Sequence, residues 1–140
     1  MSVSVEPEAE VEVTPEKDSA LLTIAGVTVS LAATVVTAVA ELYLTPLRFG
    51  GVLVGAAVLF AAVANWSIAW FAETTTRRRW SVGLPWVLWT LLMLFAAGVR
   101  TTEGDYLLSG EDWIALVMIL VGSLVFAVYA YRMILRRPKL

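Results

Sequence analysis

Four long apolar blocks, separated by short polar links, decide what this chain can fold into. They run from about Ala20 to Leu44, Phe49 to Phe71, Trp80 to Val99 and Trp113 to Leu135. A helix that crosses a bilayer needs roughly 20 apolar residues at 1.5 Å of rise each, and every block meets that length. Hydrophobic residues make up 59% of the 140, with a mean hydropathy of +0.80. A soluble domain is nearer 45–50% apolar, so no water-soluble core of this size needs such blocks. The expected fold is all-α: a four-helix transmembrane bundle, up-down-up-down, in one membrane domain over residues 20–135 with spans at about 20–44, 49–71, 80–99 and 113–135. Pro85 sits either in the first turn of the third span, where its missing N–H costs nothing, or at a kink within it.

The flanks are polar. Residues 1–19 carry Glu6, Glu8, Glu10, Glu12, Glu16 and Asp18 against Lys17, with Pro7 and Pro15. Acidity, prolines and the lack of large side chains predict a disordered acidic tail. It does not read as a signal peptide, because the leading region is acidic and the apolar run behind it is too long. Residues 136–140 form a short basic tail. Lysine and arginine set the orientation. Lys17, Arg77, Arg78, Arg79, Arg132, Arg136, Arg137 and Lys139 fall on one side, and only Arg48 and Arg100 on the other. The positive-inside rule then predicts both termini in the cytoplasm of a bacterium, with the chain multi-pass in its inner (cell) membrane. Trp66, Trp70, Trp80, Trp86, Tyr129 and Tyr131 fall near one interface, and Tyr43, Tyr106 and Trp113 near the other, as an aromatic belt requires.

The chain contains no cysteine and no histidine. That excludes disulfides, thiol nucleophiles, the usual zinc sites, histidine-ligated haem and a Ser-His-Asp triad. No cofactor is expected. A net charge of −2 gives no reason to expect a nucleic-acid partner. The expected partners are the lipid bilayer and other membrane subunits or further copies of the chain.

Small residues recur along the first span at Gly26, Ser30, Ala33, Thr37 and Ala40, and along the second at Gly51, Gly55, Ala62, Asn65 and Ala69. Such stripes let helices approach closely in lipid. Gly26, Ser30, Gly51, Gly55 and Asn65 are therefore the expected helix-packing positions, and Thr90 is a conceivable hydrogen-bond partner for Asn65. Glu41 extends the first stripe, so it should face neighbouring helices. Counted from the start of its span it lies roughly 32 Å along the helix, at the outer rim. There it is expected to pair with Arg48 across the Pro46 turn. In the long loop, Glu103-Gly104-Asp105 reads as a turn and Ser109 with Asp112 as a capping box. Glu41, Arg48, Arg100, Glu103 and Asp105 together form either a structural polar tie or a shallow site facing outward.

The motifs "FGGVLVG" at the head of the second span and "RTTEGDY" before the last resemble those of a family of small four-span membrane proteins from actinobacteria. The resemblance extends over residues 20–135. It implies an actinobacterial source and a four-helix integral membrane fold, and carries no activity or functional residues with it. The four-span size and the "AE" of the first helix are also similar to small multidrug-resistance transporters. Their essential glutamate, however, sits in mid-span, and their tyrosine and tryptophan pattern is not visible here. The expectation is thus a non-catalytic membrane protein, an accessory or structural subunit of a larger complex. The alternative is a small oligomeric transporter or channel built around Glu41 and Arg48.

Overall fold

A computed structural model of the protein describes residues 15–50, 52–53, 55–99, 104 and 113–136, with side chains from residue 19 onward except at 52 and 53. Helix α1 covers Pro15–Leu44, and a two-stranded antiparallel ribbon follows, β1 Arg48–Phe49 against β2 Val52–Leu53. Helix α2 covers Ala56–Thr76. A 3₁₀ turn over Arg79–Val82 leads into α3, Gly83–Gly98, and α4 covers Trp113–Leu135. Four segments, Ser19–Leu44, Ala56–Thr76, Arg79–Gly98 and Trp113–Leu135, are long and apolar enough to cross a membrane. The all-α four-span architecture is as the sequence predicts.

The ribbon corrects one boundary. The second span was expected from about residue 49, but α2 begins only at Ala56. Gly50 has φ +59°, a conformation that glycine adopts without a Cβ penalty and that tight hairpins demand. The chain therefore turns back as a ribbon before it starts a helix. At the other end of α2, Arg77 takes a left-handed cap (φ 54°) with its N–H on the Glu73 carbonyl. Ser81 and Thr76 then close the corner. Ser81 Oγ donates to the Ala72 carbonyl at 3.0 Å and lies 2.6 Å from Thr76 Oγ1. Pro85 is buried in the first turn of α3, where its missing N–H costs no helical bond.

Short links favour packing between every sequential pair of helices. The structure departs from this. The main interfaces are α1 with α2, α2 with α4 and α1 with α3, while α2 and α3 meet little beyond their shared corner. The 3₁₀ turn, with Ser81 and Val82 buried, carries the chain across the diagonal of the bundle. Around the bundle the order is α1, α2, α4, α3. The α3–α4 side is the loosest packed. A cleft of about 320 Å³ opens there between Trp86, Val87, Thr90, Leu91 and Ser123.

The buried stripe of α1 is Gly26, Ser30, Thr34, Ala38, Glu41 and Thr45. It follows the expected small-residue stripe at both ends and shifts by one residue in the middle. On α2 the buried face is Ala57, Ala61, Asn65, Ile68, Ala69, Ala72 and Thr76. Gly26 sets the register of the α1–α2 pair: a Cβ there would lie 2.7 Å from Thr75 Cγ2 and 3.3 Å from Thr76 Cγ2. Gly26 and Ser30 thus pack as expected. Gly55 does not, because a Cβ there meets nothing within 4 Å. It is the N-cap residue of α2 and lies outside the helix–helix contact. Gly51 lies outside the described residues.

Candidate functional site

Hydroxyls inside the bundle are mostly satisfied by their own helix. Thr34 Oγ1 donates to the Ser30 carbonyl at 2.7 Å, Thr37 Oγ1 to Ala33 at 2.9 Å and Thr90 Oγ1 to Trp86 at 2.8 Å. In hydrocarbon, where no water competes, a hydroxyl bonded to the preceding turn costs little. Against that background, two buried side chains stand apart. Among the described residues, the buried side-chain polar atoms without a partner are Glu41 Oε1, Asn65 Nδ2 and Asn65 Oδ1.

Both residues lie beside Trp89. The indole Nε1 of Trp89 donates to Glu41 Oε2 at 2.8 Å. The far edge of the same ring presses on Gly122 of α4. A Cβ on Gly122 would lie 2.5 Å from Trp89 Cη2 and Cζ2 and 2.9 Å from Asn65 Nδ2. Each helix therefore contributes one residue: Glu41 from α1, Asn65 from α2, Trp89 from α3 and Gly122 from α4. Glu41, Asn65 and Trp89 are each 0% exposed. Phe126 supports the indole with ring centroids 6.3 Å apart, and Trp86 stacks on Phe126 at 6.4 Å. Trp86 Nε1 reaches Ser123 Oγ at 3.4 Å, so the α3–α4 cleft backs onto this aromatic wall.

The depth of the layer follows from helix lengths. Asn65, Trp89 and Gly122 each lie nine residues from the ribbon-side end of their helix, at Ala56, Gly98 and Trp113. At 1.5 Å per residue that is roughly 14 Å inside. Thr45 Oγ1 lies 3.6 Å from Met118 Sδ, and Glu41 is one turn deeper on α1. By the same measure Glu41 lies three residues from the end of α1 at Leu44, roughly 5 Å inside, and its carboxylate reaches inward to the layer through Trp89.

The expected tie between Glu41 and Arg48 is corrected. Arg48 is exposed on β1, and Trp89 takes the carboxylate instead. Helix α1 ends at Leu44, and the turn after it leads Arg48 out into the ribbon while the stripe keeps Glu41 inside. Thr90 is not the partner of Asn65, whose amide nitrogen and oxygen both lack a hydrogen-bond partner among the described residues. Arg100, Glu103 and Asp105 lie outside the described residues. Gly104 between them has φ +91°, which suits the expected turn. The sequence reading missed Trp89 altogether. Its signal was an indole N–H in mid-span, a donor that needs an acceptor when buried.

At the arginine end a second polar group joins α2 and α4. Tyr129 Oη donates to Glu73 Oε2. Trp66 packs edge-on against Tyr129 at 4.9 Å, and Arg132 lies over Trp66 at 5.7 Å. No group of three or more potential ligands capable of holding a metal ion occurs among the described residues. The fold and these sites define the chain as a four-helix, multi-pass integral membrane protein. Comparison with family models, curated proteins and solved structures gives no match.

Proposed function

We propose that the protein is a small membrane transporter that takes up a proton or a small cation at Glu41. One observation carries this reading: a fully buried carboxyl with one unpartnered oxygen shares an indole with a buried amide that has no partner at all. An ionised carboxyl sealed from water costs several kcal/mol unless a proton, a cation or further donors compensate it. Ionisable groups inside a membrane domain mark ion and proton pathways by default. Glu41 supplies the exchangeable charge in this reading. Asn65 offers a carbonyl oxygen and an amide to a ligand or its water, and Trp89 holds the carboxyl in place. The chain sits in the bacterial cell membrane with both termini and the arginine end in the cytoplasm, which the distribution of basic residues supports.

The test is flux in proteoliposomes. Wild-type protein is expected to dissipate an imposed proton or sodium gradient, and Glu41→Gln to abolish that flux while keeping the Trp89 bond and the fold. A wild type that moves neither ion removes the proposal.

A second reading, as an accessory subunit of a larger membrane complex, draws support from the loosely packed α3–α4 side, whose cleft suits a further helix. Purification in mild detergent separates the two. An accessory subunit brings its partner with it, whereas a self-sufficient transporter is active alone.

A further inference from the structure

The arginine end holds a pocket of about 350 Å³ between the last turns of α2 and the end of α4. It is lined by Trp70, Glu73, Thr74, Arg77, Arg79 and Arg136. From this pocket we infer a binding site for the phosphate headgroup of an anionic phospholipid.

The first argument is charge. Arg77, Arg79 and Arg136 contribute three guanidiniums, and none of them has an ion-pair partner among the described residues. The one lining carboxylate, Glu73, already accepts from Tyr129. The C-terminal ends of α2 and α4 both lie here, each worth about half a negative charge. Counting Arg78 and Arg132 as well, the five described arginines of this end still leave a clear positive excess after Glu73 and both helix ends. Guanidinium forks match phosphate oxygens two at a time.

The second argument is the order of chemistry along one helix face. Trp70, Glu73 and Thr74 follow the i, i+3, i+4 pattern, so they share one side of α2, and Arg77, the residue that caps the helix, lines the same pocket. From bilayer to water that side presents an exposed indole, then a hydroxyl and carboxylate, then a guanidinium. A phospholipid presents its acyl chains, ester linkages and phosphate in the same order. A free phosphate would have no use for Trp70. Basic pockets between spanning helices at a membrane surface bind such headgroups. The backbone of Arg77 is also held by its left-handed cap on the Glu73 carbonyl, so the root of one of the three side chains is fixed before the ligand arrives.

The test uses the full chain in mild detergent, with native mass spectrometry against phosphatidylglycerol and phosphatidylcholine. Wild type is expected to retain phosphatidylglycerol at least tenfold better than phosphatidylcholine. The Arg77→Gln/Arg136→Gln double variant should lose that preference. Arg78→Gln, which removes a charge from the same turn outside this pocket, should keep it. Arg136→Lys should recover part of the preference, because it restores charge without the fork. A variant that fails to fold is recognised by its thermal melt, and Arg79→Gln alone then serves in its place, with a several-fold loss expected. Equal retention of the two lipids overturns the proposal, and so does an Arg78→Gln loss as large as that of the double variant. Displacement of the lipid by millimolar inorganic phosphate would make the site one for a free anion. Binding that emerges only when residues 1–14 are deleted would make the acidic tail the occupant.

Discussion

At the scale of single residues, the interior layer is tightly packed at Gly122 and leaves polar atoms without partners at Glu41 and Asn65. Gly122 sits where any Cβ would strike Trp89 and Asn65, both fully buried and unable to withdraw. Gly122→Ala is therefore expected to destabilise the bundle by about 1–3 kcal/mol, the usual cost of overpacking. Unfolding of the detergent-solubilised protein on titration with a denaturing surfactant measures it. The same change at Gly55 meets open space and should stay within about 0.5 kcal/mol. Trp89→Phe strips Glu41 Oε2 of its donor and leaves both carboxyl oxygens bare, a loss of about 1–3 kcal/mol. Glu41→Gln keeps an acceptor for the indole and should cost much less. Arg48→Gln should leave stability unchanged, because Arg48 is exposed and makes no tie to Glu41. If Arg48→Gln proved as damaging as Trp89→Phe in the same titration, the assignment of Glu41 to Trp89 would be wrong.

At the scale of elements, the corner between α2 and α3 depends on hydroxyls. Ser81 Oγ lies within hydrogen-bond distance of the Ala72 and Arg78 carbonyls and of Thr76 Oγ1. Ser81→Ala is expected to cost about 1–2 kcal/mol, and hydrogen exchange should locate the loosening at residues 76–82 rather than in the spans. The four helices themselves were legible in the sequence, because runs of twenty apolar residues have few other fates. The inward direction of Glu41 was legible too, from a stripe at helical spacing. Its partner was not, since Trp89 comes from α3, 48 positions further along the chain. The ribbon escaped notice because its valine and leucine continue the apolar run, and periodicity alone does not separate four such residues from the start of a helix. Trp89 was masked for a similar reason: an indole in a span reads as bulk until an acceptor is found beside it.

At the scale of the whole molecule, the arginine end and the ribbon end should lie on opposite sides of the membrane. The chain has no cysteine, so single substitutions report without background. Arg78→Cys and Leu47→Cys, both at exposed positions, are expected to differ in intact cells. A membrane-impermeant maleimide should label the cysteine at position 47 directly and the one at position 78 only after permeabilisation. The reverse pattern would invert the orientation. The diagonal crossing between α2 and α3 also bears on how the chain is made. Helices leave the ribosome in sequence order, yet α2 finds one of its main neighbours only when α4 arrives, two helices later. Until then Asn65 has no Gly122 beside it, and a polar amide on the second helix faces lipid or the insertion machinery. A chain that stalls after α3 thus leaves the α4-facing side of α2, Asn65 included, uncovered until the fourth helix arrives.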